Sequence, residues 1–228
     1  MSGLLCDLLD LCFPPSCAAC REPIASTRAG PFCSICADAV EPVPPGCPRC
    51  GLPGRAAPCD GCALGGVAFD ACHSGALFGG PVADAVHALK YSGRAAVARP
   101  LGAWLAERVP LPASARVVAV PLARRRRIAR GYDQAALLAD AFARAARLPR
   151  LAGALRRVRE TPPQVGRSRE ERLRNVAGAF QAARRVAGEH LVLVDDVVTT
   201  GATASACAGA LRAAGARSIT VVSLARAE

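Results

Sequence analysis

With 228 residues, 52% of them hydrophobic, the chain is long enough to bury one medium core and a smaller satellite. No apolar run approaches the roughly 20 residues that a membrane-spanning helix needs, so no membrane span is expected. The formal net charge is +11 and Lys90 is the only lysine; arginine, whose planar fork suits phosphate and carboxylate, supplies nearly all the basic charge, although genomic bias would produce the same excess.

The N-terminal stretch Met1 to Asp10 lacks a basic start and carries Asp7 and Asp10. It makes a poor secretory signal and reads as a short amphipathic helix leading into the next module. Four arginines against six carboxylates give residues 1–66 a net charge of −2, leaving +13 on residues 67–228. An anion-binding surface is therefore expected mainly in the C-terminal part.

Ten of the twelve cysteines precede residue 66, and eight of those form four C-x-x-C pairs: Cys17/Cys20, Cys33/Cys36, Cys47/Cys50 and Cys59/Cys62. Two residues between thiols let both sulfurs of a tight turn reach one tetrahedral ion. Four such knuckles predict two structural Zn²⁺ sites of four thiolates each. Disulfides are the competing reading, but they predominate in oxidising compartments, and no export signal is visible. A segment this short and loop-rich needs the metal for much of its stability. Pairing the first knuckle with the second and the third with the fourth closes shorter loops, while a cross-braced arrangement would use the same residues. Cys6, Cys12, Cys72 and Cys207 have no C-x-x-C partner and read as small core residues.

After residue 66, strand and helix patterns alternate. Asp84 to Leu89 opens a helix that Gly93 interrupts, and residues 99–109 form a second with Leu101, Trp104 and Leu105 on one face. Arg116 to Val120 is a strand stopped by Pro121, and residues 133–147 are an alanine-rich helix. Leu191 to Val194 is a buried strand, residues 202–214 a helix ended by Gly215, and Ser218 to Leu224 another strand. This order predicts an α/β fold with a parallel sheet flanked by helices. The division expected is a double zinc-ribbon module over 1–66 and an α/β domain over 67–228.

The most informative run is Leu191-Val192-Leu193-Val194-Asp195-Asp196-Val197-Val198-Thr199-Thr200-Gly201-Ala202-Thr203. A buried strand leads to two adjacent carboxylates, then to a loop of small and hydroxyl residues that opens a helix. Open α/β sheets bind ligands at the carboxyl edge of their strands, and a helix N-terminus with free N–H groups suits a phosphate. Thr199, Thr200 and Thr203 add hydroxyl donors, Gly201 and Ala202 allow close backbone approach, and Asp195 and Asp196 can accept hydrogen bonds from neighbouring sugar hydroxyls. An ordinary strand–turn–helix with capping acids is the bland alternative.

This run resembles the phosphoribosyl-pyrophosphate motif of type I phosphoribosyltransferases. Val120-Pro121-Leu122-Ala123, followed by Arg124 to Arg127, is similar to the pyrophosphate loop of that superfamily, though the arginines also suit a solvated charge run. Arg159 to Gln164, Ser168-Arg169 and Arg172 to Asn175 resemble its mobile hood. Leu89 to Arg94 and Arg130 to Ala135 extend the likeness, and with the cysteine knuckles the chain is identified as similar to the ComF competence family. Arg167 departs from the apolar residue common in that family's hood.

The resemblance implies a phosphoribosyltransferase-type domain binding phosphoribosyl pyrophosphate. Asp195 and Asp196 would act at the ribose and stabilise positive charge, residues 199–203 would anchor the terminal phosphate, and Leu122, Ala123 and Arg124 would hold the pyrophosphate with Mg²⁺. Residues 160–176 would exclude water. Purine-salvage members carry an acid where this chain has Thr199, so no acceptor follows. His73, His87 and His190 read as structural and Tyr132 as a packing residue. The family likeness implies a cytoplasmic protein of natural transformation, whose partners would include single-stranded DNA and a competence helicase or other DNA-processing protein. Three readings stand: a transferase of unknown acceptor, a non-catalytic nucleotide sensor, and a DNA-handling protein.

Overall fold

The computed structural model describes residues 15–25, 30–54, 59–63, 66–91, 93–112, 114–160 and 169–227. The expected N-terminal helix, Cys6 and Cys12, and Thr161 to Ser168 of the hood lie outside them. Four strands form one parallel sheet in the order β1 (Ala71–Leu77), β6 (Ser218–Arg226), β5 (His190–Val198), β2 (Ala115–Ala119). Two short strands, β3 (Leu155–Arg157) and β4 (Phe180–Ala182), pair as a separate antiparallel ribbon. The parallel sheet flanked by helices matches the expected fold class.

The central strands carry continuous buried apolar runs, as strands covered on both faces must. Leu191, Val192, Leu193 and Val194 are all at most 1% exposed. One face of the sheet packs Leu191, Leu193, Ile219 and Val221 against helix α8 (Ala202–Ala213). The other packs Val192, Val194, Val222 and Leu224 against α3 (Gly80–Tyr91), α4 (Ala98–Ala106) and α6 (Gln134–Ala145). Helices α4 and α6 approach closely because Gly102 has no side chain: a Cβ there would lie 2.5 Å from the Ala141 Cβ. Asp133 caps α6 by accepting the Ala136 N–H at 3.0 Å.

Three features depart from the sequence reading. The strand of the acidic pair runs on to Val198, so Asp195 and Asp196 lie within β5, with Asp195 in register with Ser223 of β6. On the other side, β2 stays paired only to Val194, its last bond to β5 being the Val120 N–H on that carbonyl. The acids therefore overhang the end of β2. Arg124–Arg130 forms a helix, α5, and the end of the expected hood loop is helical as α7 (Arg169–Val176). Among the described residues no helix is long and apolar enough to cross a membrane.

Candidate functional site

Two cysteine clusters emerge from the four knuckles, Cys17/Cys20/Cys33/Cys36 and Cys47/Cys50/Cys59/Cys62, each with its sulfurs within 4.8 Å of one another. The grouping is sequential rather than cross-braced. Tetrahedral zinc with Zn–S near 2.3 Å places its sulfurs about 3.8 Å apart. Here Cys20–Cys33, Cys47–Cys62 and Cys50–Cys59 stand at 3.7, 3.9 and 3.5 Å. Burial, then the neighbouring sulfurs of Cys33, Cys20 and Cys17, push the Cys36 thiol up to about 12. Four thiolates this close require a cation, and the donor set fits zinc.

Local geometry builds the knuckles. A Cβ on Gly46 would meet the Leu52 carbonyl oxygen at 2.2 Å, and one on Gly51, at φ +67°, would meet that of Cys72 at 2.6 Å. The clusters are anchored to opposite faces of the sheet. The first meets α4 through Phe32, edge-on to Trp104 at 5.7 Å, while Arg94 donates to the Cys17 and Ala18 carbonyls. The second meets β1 and β6: Arg226, 3% exposed, donates to the Cys50 carbonyl at 2.9 Å. Arg49, inside the third knuckle, donates to the carbonyls of Val67 and Phe69. The Phe69 ring in turn lies 3.5 Å from where a Gly201 Cβ would sit. Cys72 and Cys207 are buried, as small core residues would be.

The overhang of β5 opens into a cleft of about 1010 Å³ at the carboxyl edge of the sheet, reaching Pro121, Leu122, Asp195, Asp196, Thr199 and Thr203. A smaller niche of about 20 Å³ is lined by Asp195 and residues 197–204, where Gly201 takes φ +75° and turns the chain into α8. Of the site residues read from the sequence, Leu122, Asp195, Asp196 and residues 199–203 line this connected space, whereas Ala123 and Arg124 do not. Ala123 is buried as the residue before α5, and Arg124 is exposed at that helix's start. The arginines of α5 that line the cleft are Arg126 and Arg130.

Alternation along the strand sends the two acids to opposite faces. Asp196, 5% exposed, meets the Lys90 ammonium at 2.7 Å and the Gln134 side-chain amide at 3.1 Å. Asp195 keeps a partly exposed face and accepts the Asp196 N–H at 2.8 Å. Burial and then the Asp196 charge push the Asp195 carboxyl up to about 7, against an opposing pull from Lys90. Lys90 and Gln134 carried no assigned role in the sequence reading. The usable signal was that Lys90 is the only lysine in an arginine-rich chain. Tyr132, expected only to pack, donates to the Leu89 carbonyl at 2.6 Å and pins the turn that carries Lys90.

Metal-ligating groups of three or more side chains, among the described residues, are the two cysteine sets.

A parallel α/β sheet with helices on both faces, fitted with two four-cysteine clusters, defines the class. The chain is 36% identical over 225 residues to the DNA utilization protein YhgH of Salmonella typhi, covering 95% of this chain and 99% of that one. It is 34% identical to the protein of the same name from Escherichia coli K12 over the same shares. Competence protein F of Haemophilus influenzae is 40% identical over 119 residues, 49% of this chain and 50% of that one. No family model matches the chain. Among solved structures, the glutamine phosphoribosylpyrophosphate amidotransferase of B. subtilis, complexed with ADP and GMP, aligns with TM-score 0.39 and 25% identity over 61% of this chain and 27% of that one. The chain belongs to the ComF family, with the YhgH proteins.

Proposed function

We propose that the cleft binds phosphoribosyl pyrophosphate, and that the chain uses this ligand in DNA utilization. The observation that carries this reading is the strand β5–loop–α8 unit, which sets a partly open carboxylate beside a helix tip and a small niche. Backbone N–H groups at the start of α8, with the hydroxyls of Thr200 and Thr203, suit the sugar's terminal phosphate. The acids suit the ribose hydroxyls. Arg126 and Arg130 flank the opposite wall, where the pyrophosphate with its magnesium would lie. Transfer in such a site would rest on placement and charge control rather than on a covalent protein intermediate. The acceptor is left open, and a sensor that binds without turnover would use the same residues.

Isothermal titration of the zinc-loaded chain with phosphoribosyl pyrophosphate and Mg²⁺ tests the reading. Saturable binding that disappears in Asp195→Ala/Asp196→Ala is expected; no heat of binding to the unaltered chain would overturn it.

A second reading rests on α5, whose Arg124, Arg125, Arg126 and Arg127 are exposed beside the cleft mouth. That arginine row suits a nucleic-acid backbone, in keeping with the relatives' names. Single-strand binding should then weaken steeply between 50 and 200 mM salt, as counterion release on the order of several phosphates requires. Binding indifferent to salt would exclude α5 as a DNA surface.

A further inference from the structure

The Asp196 carboxylate already has both oxygens engaged by the chain itself. Lys90 reaches one from the last turn of α3, and Gln134 reaches the other from the first position of α6. These partners come from two helices distant in sequence and converge on a side chain that is 5% exposed. The Gln134 Oε1 atom is buried with no hydrogen-bond partner among the described residues. The amide is thus committed to Asp196 through its nitrogen while its own oxygen goes without a partner among the described residues. Asp195, one residue earlier, faces the cleft and the phosphate niche.

We propose that Lys90 is a positioning residue of the sugar-phosphate site: with Gln134 it fixes Asp196 as a support, leaving Asp195 as the acid that meets the ligand's hydroxyls. The inference rests on the phosphoribosyl-pyrophosphate reading and divides between the acids a task that the sequence assigns to both. The titratable and charged groups facing Asp195 are Asp196 beside it, Lys90 on α3, Asp133 at the start of α6, Cys207 on α8 and Cys72 on β1. Lys90 is the cation of that set, and it pulls the Asp195 carboxyl down against the upward push of burial and of Asp196. A carboxylate accepts hydroxyl hydrogen bonds with all its lone pairs, whereas its protonated form gives up part of that capacity.

The test is the affinity for phosphoribosyl pyrophosphate with Mg²⁺ from pH 5.5 to 9, measured on the zinc-loaded chain and its variants. Comparing variants cancels the ligand's own titration. Lys90→Met is expected to weaken binding at least tenfold at pH 7 and to move the midpoint of the pH profile upward. Gln134→Leu removes a partner but no charge; it should weaken binding and leave the midpoint in place, and it carries the test if Lys90→Met does not fold. In a double-mutant cycle, Lys90→Met and Asp196→Asn together should cost no more than Asp196→Asn alone. Unchanged affinity in Lys90→Met and Gln134→Leu, or additive losses in the cycle, would overturn the assignment while the reading of the cleft stands. Failure of the unaltered chain to bind would overturn that reading and this inference with it.

Discussion

Asp195 shows how much one residue's surroundings decide. Its ordinary carboxyl value is 3.8, and burial followed by the Asp196 charge raises it to about 7. For an acid raised in the folded state, the folded chain binds more protons than the unfolded one between those two values. Stability is therefore fully present below about pH 4 and is lost as pH climbs through about 7. Asp195→Asn should remove this loss and raise stability at pH 8 by on the order of 2 kcal/mol, since one pKa unit corresponds to about 1.4 kcal/mol before relaxation. Urea unfolding at pH 4 and pH 8 checks it: the variant's advantage should exist at pH 8 and all but disappear by pH 4. The acidic pair was legible in the sequence because its chemistry is local, a buried strand run ending in two carboxylates. The Lys90–Asp196–Gln134 triangle was not, because it joins residues 106 and 62 positions apart and depends on how two helices dock.

At the scale of elements, the sequence was readable where an element has an apolar stripe or run. The helices over 80–91, 98–106, 134–145 and 202–213 and the strands β2, β5 and β6 fall close to the expected segments. It was unreadable where tertiary pairing supplies the reason. Strand β1, Ala71–Leu77, has no continuous apolar run and exists because β6 pairs along it from Thr220 to Arg226. Helix α5, Arg124–Arg130, has no buried residue and so shows no hydrophobic period. Packing also overrides intrinsic preference. Gly102 lies inside α4, where exchange for alanine would ordinarily stabilise by about 1 kcal/mol. Its Cβ would however stand 2.5 Å from the Ala141 Cβ and 2.7 Å from the Phe142 nitrogen, both on a rigid helix. Overpacking of this kind costs about 1–3 kcal/mol, so Gly102→Ala should lower the thermal midpoint. Gly201→Ala is a contrasting case: no neighbour of its Cβ is closer than 3.5 Å, and the cost is the left-handed backbone alone, about 1 kcal/mol. A drop of about 2–4 °C with a disproportionate loss of phosphoribosyl-pyrophosphate affinity is expected, because that backbone shapes the niche.

Across the whole molecule, the cysteine clusters are unequal parts of one architecture. Cys47, Cys50, Cys59 and Cys62 are all at most 6% exposed and belong to the core that holds α8, whereas Cys20 of the first cluster is exposed. A chelator meets the first site from solvent but reaches the second only when the surrounding core opens. Zinc release to a chromogenic chelator should therefore be biphasic, one equivalent leaving early and one tracking global unfolding. A series of contacts leads from the second site to the cleft. Arg49 sits between two of its ligands and holds the carbonyls of Val67 and Phe69, Ser205 of α8 accepts the Ala68 N–H, and Phe69 lies against Gly201. Losing a second-site ligand should loosen the strap that backs residues 199–203; losing Cys20 should leave that strap intact. Cys59→Ser should lower the thermal midpoint by more than about 6 °C, the shift that roughly 2–3 kcal/mol produces in a chain of this size, and weaken ligand affinity with it. Cys20→Ser should release one equivalent of zinc with little effect on affinity. Equal losses from the two substitutions would show that the clusters serve only as independent staples, with no path from the second knuckle pair to the helix tip.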